Sequence, residues 1–217
     1  MLKSRLCIAF FAFAVGCAPA QKPLTDYVNP MLGTATLWDS VDLGFKPTKR
    51  TWGAEVFPGS SLPNAMVQVS PVTKFHSGAG YQYEDSVIYG FTHTNKGHWN
   101  LCHIPLLPVT GTPTPGDYCS PFSHERESAA PGYYQVFLDR YGVDAQLSST
   151  LRCAFHKYTY PAGAAPAVLA DLQRSNEHVR AWDIRKEGDN VFAGWQQTGE
   201  KMYFYAVANR PVTGIEP

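Results

Sequence analysis

Downstream of residue 24 the chain is dominated by short runs in which apolar and polar positions alternate with a period of two. Ala65, Val67 and Val69 alternate with Met66, Gln68 and Ser70, and Val143, Ala145 and Leu147 with Asp144, Gln146 and Ser148. Tyr203, Tyr205 and Val207 oppose Met202, Phe204 and Ala206. Successive strand side chains point to opposite faces, so such runs read as strands with one face on a core. Turn formers separate them: Tyr141-Gly142, Gly163-Ala164 and Glu187-Gly188-Asp189-Asn190. The last lies between residues 182–186 and 191–195 and predicts a hairpin. No long segment keeps a helical period with caps, and no internal repeat or low-complexity tract occurs. Many short strands between turns predict an all-β, antiparallel β-sandwich.

Composition narrows the partners. At 217 residues, 44% hydrophobic and 17% charged, the chain can fill a core and is too apolar for disorder. Eighteen basic and eighteen acidic residues balance, with no basic run, which argues against nucleic acid. Aromatics make up 13%. Tyr and Trp suit a sugar-binding surface because pyranose rings offer C–H faces to stack on them, although strands alone favour aromatics too.

Residues 1–16 read as a leader. Lys3 and Arg5 supply its charge, and residues 6–15 form an apolar run too short to span a bilayer. Ala14-Val15-Gly16-Cys17 resembles a bacterial lipobox, in which a small residue precedes a Cys that receives diacylglycerol. On that reading Cys17 is lipidated and begins the mature chain, and residues 17–24 are a tether. The alternative is ordinary cleavage after Ala18 or Ala20. Either way the domain, residues 25–217, is exported, to the periplasm or outer-membrane surface of a bacterium. Membrane contact is expected only through the lipid anchor. Cys102, Cys119 and Cys153 then remain. Three residues cannot all pair within the chain; Cys102–Cys119 and three buried thiols are the alternatives.

Seven blocks follow in order: YVNPMLGT (27–34), FPGSSLPNAMVQVSP (57–71), GYQY (80–83), IYGFTHT (88–94), PLLPVTG (105–111), FSHERESAAPGYYQVFLDRYGVDAQLSST (122–150) and AFHKYTYP (154–161). This series resembles the N-terminal domain of glycoside hydrolase family 92, the calcium-dependent exo-acting α-mannosidases. It covers nearly all of the chain after the leader. The resemblance implies inverting hydrolysis of α-mannosides in glycans, by a Glu acid, an Asp base and a calcium ion. These are implied to reside in a helical C-terminal catalytic domain that would follow Pro217. No residue here matches their motifs, so no catalytic residue or metal ligand is assigned. This chain alone is expected to bind no calcium and to be inactive.

The resemblance also implies that loops of the N-terminal sandwich wall the substrate pocket. Two segments are the candidates. In 49–58, KRTWGAEVFP, Trp52 can stack on a sugar, Glu55 can accept hydroxyl hydrogen bonds, and Gly53 lets the backbone turn near a ligand. In 93–103, HTNKGHWNLCH, the candidates are His93, His98, Trp99 and Asn100. Here NKGHWN departs from the family's pattern, which puts the substrate in question. Each Trp can equally be a packing residue. His93, His98 and His103 recur every five residues, which matches neither a helix face nor one strand face, so zinc is not expected. Glu84-Asp85 and Glu125-Arg126-Glu127 read as solvated charges or ion pairs.

Three functions fit: the N-terminal part of an exported, lipid-anchored exo-α-mannosidase; a free-standing carbohydrate-binding β-sandwich lipoprotein using Trp52 and Trp99; or a docking domain whose apolar face covers a helical partner. The ordered blocks favour the first.

Overall fold

The computed structural model describes residues 22–37, 44–46, 54–96 and 99–216. A five-stranded sheet runs in the order β1 (Ser60–Ser61), β2 (Gln68–Val72), β4 (Gly90–Thr92), β7 (Leu106–Thr110), β13 (Pro166–Ala170). A four-stranded sheet follows the order β12 (Ala154–Thr159), β11 (Val143–Ser149), β10 (Tyr133–Leu138), β9 (Glu127–Ala130). A third sheet joins β14 (Ala181–Gly188), β15 (Val191–Gln197) and β16 (Lys201–Val207). Two short pairs complete the set, β3 (Val87–Ile88) with β8 (Ser120–Pro121), and β5 (Asn95–Lys96) with β6 (Trp99–Asn100). Every pairing is antiparallel. Among the described residues the only helical pieces are two 3-10 turns. The fold is the all-β antiparallel sandwich that the alternation predicts.

The two larger sheets face each other across one core. Val69, Phe91, Leu107 and Val109 meet Tyr134, Val136, Leu138, Val143, Ala145 and Leu147. The alternation on β11 works as read: Val143, Ala145 and Leu147 are buried, while Asp144 and Gln146 lie on the other side. Each buried Val or Leu contributes about 1.5–3 kcal/mol of transfer free energy. Ile104, Leu106 and Leu172 make a second, smaller core with Ile184, Met202 and Phe204, and this fixes the third sheet to the sandwich.

Three local outcomes bear on the site. The predicted hairpin is β14–β15, with Gly188 opposite Val191 and a register irregularity between Lys186 and Gly188. The alternation at 65–67 does not become strand: β2 starts at Gln68. Pro63 and Asn64, the latter at φ +58°, make a turn closed by Ala65 N–H donating to Leu62 O, and Met66 N–H bonds Leu151 O at 2.8 Å instead of a ladder partner. Cys102, Cys119 and Cys153 are all free thiols, so the Cys102–Cys119 pairing is not formed, but only Cys102 is buried: Cys119 is half-buried and Cys153 exposed.

Candidate functional site

The chain from β4 to β7 carries the second candidate segment, and it is held tightly. Asn95 pairs with Asn100 and Lys96 with Trp99 in a two-stranded hairpin. Asn100 N–H donates to Gly78 O at 2.8 Å, which ties the hairpin to loop 76–80. The Asn100 side chain has 0% exposure. Its Nδ2 donates to Ala79 O (3.3 Å) and Thr92 Oγ1 (3.2 Å), and its Oδ1 accepts from Cys102 N–H (2.8 Å). That last bond forms where Cys102 adopts φ +54°, a left-handed conformation that a non-glycine residue keeps only when its surroundings enforce it. Gly80, at φ +74°, completes the fit, because a Cβ there would lie 2.6 Å from Asn100 Nδ2.

A second set of bonds latches the same loop to the third sheet. Asn176 Nδ2 donates to Asn100 O (2.5 Å) and Ser77 O (3.1 Å), and Asn176 Oδ1 accepts from His76 N–H (2.6 Å). Gln196, fully buried on β15, accepts from Ile104 N–H at 3.0 Å and donates to Leu172 O and Arg174 O. His103 joins Thr94 Oγ1 (2.9 Å) to Glu177 and Thr198. Burial lowers the pKa of His103.

His93 opens the loop and is half-buried. Its Nδ1 donates to Ile104 O at 3.0 Å, and its Nε2 meets Nε2 of His156 at 3.0 Å. His156 Nδ1 lies 2.7 Å from Tyr158 Oη. A carbonyl only accepts, so His93 carries its hydrogen on Nδ1 and its Nε2 accepts from His156 Nε2–H. His156 Nδ1 then accepts from the Tyr158 hydroxyl. Desolvation holds both rings neutral, taking the His93 pKa down to about 4 and that of His156 well below its ordinary value.

Glu55 of the first candidate segment reaches the same loop. Glu55 stands at φ +52°, and its carboxyl carbon lies 3.0 Å from where a Cβ on Gly78 would be. It also lines an open cleft of about 410 Å³ with Val28, Pro30, Phe57, Pro131 and Gly132. Glu55 and the Asn95–Asn100 hairpin thus converge on Gly78, although they are far apart in sequence. Trp99 follows as the exposed end of this arrangement, with 45% exposure. Trp52, Gly53, His98 and Cys17 lie outside the described residues.

The structure therefore divides the candidates. Glu55 and Trp99 border open surface. His93 and Asn100 spend their polar atoms inside the protein, so they position the loop and leave no free group for a sugar. Sequence reasoning missed Asn176, Glu177, His156 and Gln196; the polar run Ser175-Asn176-Glu177-His178 was the available signal. Glu127, expected as a solvated charge or an ion pair, is paired with His124 but buried. That side chain has 2% exposure and accepts from Tyr81 Oη, Tyr134 Oη and His124 Nδ1. Among the described residues no three His, Cys, Asp or Glu side chains converge in a way that could hold a metal ion, so the calcium implied by the resemblance finds no fitting donor set there.

Comparison with known proteins supplies the remaining facts. The sequence model of the glycosyl hydrolase family 92 N-terminal domain matches residues 27–216. No curated protein matches the chain. A family GH92 α-mannosidase of Bacteroides thetaiotaomicron superimposes with a TM-score of 0.76 at 27% identity, over 89% of this chain and 27% of that one. The same enzyme in complex with mannoimidazole gives a TM-score of 0.74 at 28% identity, over 89% and 26%. A family GH92 inverting mannosidase of Bacteroides thetaiotaomicron VPI-5482 shares the fold, with a TM-score of 0.66 at 24% identity over 85% and 25%. This chain spans about a quarter of the length of each.

Proposed function

Because the chain belongs to glycosyl hydrolase family 92 through its N-terminal domain, we propose that it forms the substrate-pocket and docking domain of an exo-acting α-mannosidase that cleaves α-mannosides in glycans with inversion. The observation that carries this reading is the meeting of Glu55 and the Trp99 hairpin on Gly78. It brings Glu55 and the hairpin that carries Trp99, from separate segments, to one loop. A sugar needs that pair: an apolar face to stack on and acceptors for its hydroxyls. Trp52, Gly53 and His98 complete the contact set. His93 and Asn100 serve as positioning residues.

Inverting hydrolysis needs one carboxylic acid to protonate the leaving oxygen and one carboxylate to activate water. Those groups, and the calcium ion, belong in this reading to a helical catalytic domain outside these 217 residues. The cleft lined by Val28, Phe57 and Pro131 is where that domain closes. The protein is exported and held at the membrane surface through a lipid on Cys17.

The purified chain, given an aryl α-mannoside and calcium, is expected to show no turnover. Turnover above a buffer blank that survives repurification would place the acid and base within this chain and overturn the division of labour.

A further inference from the structure

The third sheet has two faces of different character. Its inner face supplies Ile184, Met202 and Phe204 to the smaller core, and Gln196 to the loop at Ile104. Its outer face packs on no core among the described residues, yet it is aromatic. Tyr203 and Tyr205 on β16 are 72% and 68% exposed. Trp195 on β15 pairs with Tyr203, and Ala193 pairs with Tyr205. On the next strand Asp183 stands opposite Trp195 and Arg185 opposite Ala193. Exposed aromatic rows on an edge strand invite aggregation, so soluble proteins seldom keep them without a ligand.

We propose that this outer face is a second glycan-binding surface, separate from the Glu55–Trp99 site, on which a neutral hexopyranose chain lies across Trp195, Tyr203 and Tyr205. The proposal rests on the glycan-degrading reading above, since it supposes a polymeric substrate to hold. Tyr203 and Tyr205, two positions apart on one strand, are roughly 7 Å apart, comparable with one pyranose unit. The face of Trp195 is covered by one exposed, flexible side chain, since Lys201 Nζ rests 3.7 Å from its centroid and 5.8 Å from that of Tyr203. A sugar C–H face replaces that ammonium.

Charge selects the class of ligand. The charged groups beside the rings are Lys201, Arg185, Asp183 and Glu187, two of each sign. Arg185 already pairs with Glu187 (2.6 Å) and Asp183 (3.4 Å). The patch is therefore neutral and suits a neutral chain better than an anionic polymer. A protein partner would have to desolvate these groups, which is costly. Sugar hydroxyls instead take the place of water at the carboxylates and the guanidinium.

The test is electrophoresis of the full 217-residue chain in native gels cast with α-linked mannan. The wild type is expected to be retarded, and Phe155→Ala, which removes an exposed aromatic from another sheet, is expected to be retarded equally. Tyr203→Ala/Tyr205→Ala is expected to bind about tenfold more weakly or worse, with an unchanged melting temperature. Tyr203→Phe/Tyr205→Phe keeps the rings and should keep binding; should the Ala pair fail to fold, Tyr205→Lys alone gives the same comparison. No retardation of the wild type, or full retardation of a folded Tyr variant, overturns the proposal. So does retardation that falls as far in Phe155→Ala as in the Tyr variants, or a wild-type dimer in sedimentation that the Tyr variants abolish, which would make the occupant a second copy. None of these results bears on the pocket reading, which is tested by sugar affinity in the complete enzyme.

Discussion

His93 and His156 face one another Nε2 to Nε2 at 3.0 Å, and one hydrogen serves both nitrogens. A second proton would set two N–H groups against each other at that distance. The contact joins the start of the candidate loop to β12, so the loop's anchor depends on neutral imidazoles.

Stability should fall on acidification. Burial lowers the folded-state pKa of His93 to about 4 from an ordinary 6.5, and that of His156 falls as well. The unfolded chain therefore binds more protons between those values. The contribution is fully present above about pH 6.5 and is lost as pH falls toward 4, at most about 3 kcal/mol for His93. Urea midpoints measured from pH 7 to pH 4.5 should decline steadily, and less steeply in His156→Phe. A flat profile would mean that the rings are not held neutral.

The buried Glu127 carboxylate depends on its donors. Tyr134 Oη bonds it at 2.6 Å, so Tyr134→Phe should cost about 1.5–3 kcal/mol, the range for a hydrogen bond to a charged group. Urea unfolding at pH 7 reads this directly. A loss below about 0.5 kcal/mol would show that Tyr81 and His124 suffice.

The same carboxylate shows where sequence reading stops. The alternation of Val143, Ala145 and Leu147 declared β11 because a half-buried strand writes its period into the chain. Gly142 and Gly163 marked turns because each takes a positive φ, +63° and +79°. Glu127 sat in an acidic-basic run and carried no local sign that two tyrosines and a histidine would enclose it. Asn100 was picked out as a sugar contact for its place in the loop, and became the loop's internal tie because Gly80, Thr92 and Ala79 crowd around it. Asn176 and Gln196 carry no local signal of the bonds they make, since their partners lie across the fold. Residue types suited to a sugar can be read from the sequence; which polar atoms are already engaged inside the fold cannot.

The N-terminus offers a separate check. Expressed in a bacterium with lipoprotein-processing enzymes, the mature protein should begin at Cys17 and carry acyl mass by mass spectrometry. A chain beginning at Gln21 without acyl mass would refute the anchor.

The central claim is that Trp52 and Trp99 meet sugar and do not hold the core together. An enzyme combining this domain with its catalytic domain permits both readings to be separated in one pair of variants. Trp52→Ala and Trp99→Ala should each weaken affinity for an α-mannoside by about 1–3 kcal/mol, as expected for losing a large stacking surface. Melting temperature should stay nearly unchanged, because Trp99 borders open surface at the end of a two-stranded hairpin. Affinity per folded molecule measured beside melting temperature is the decisive experiment: weaker binding with stability kept is the predicted result, and stability lost with binding kept would contradict the account.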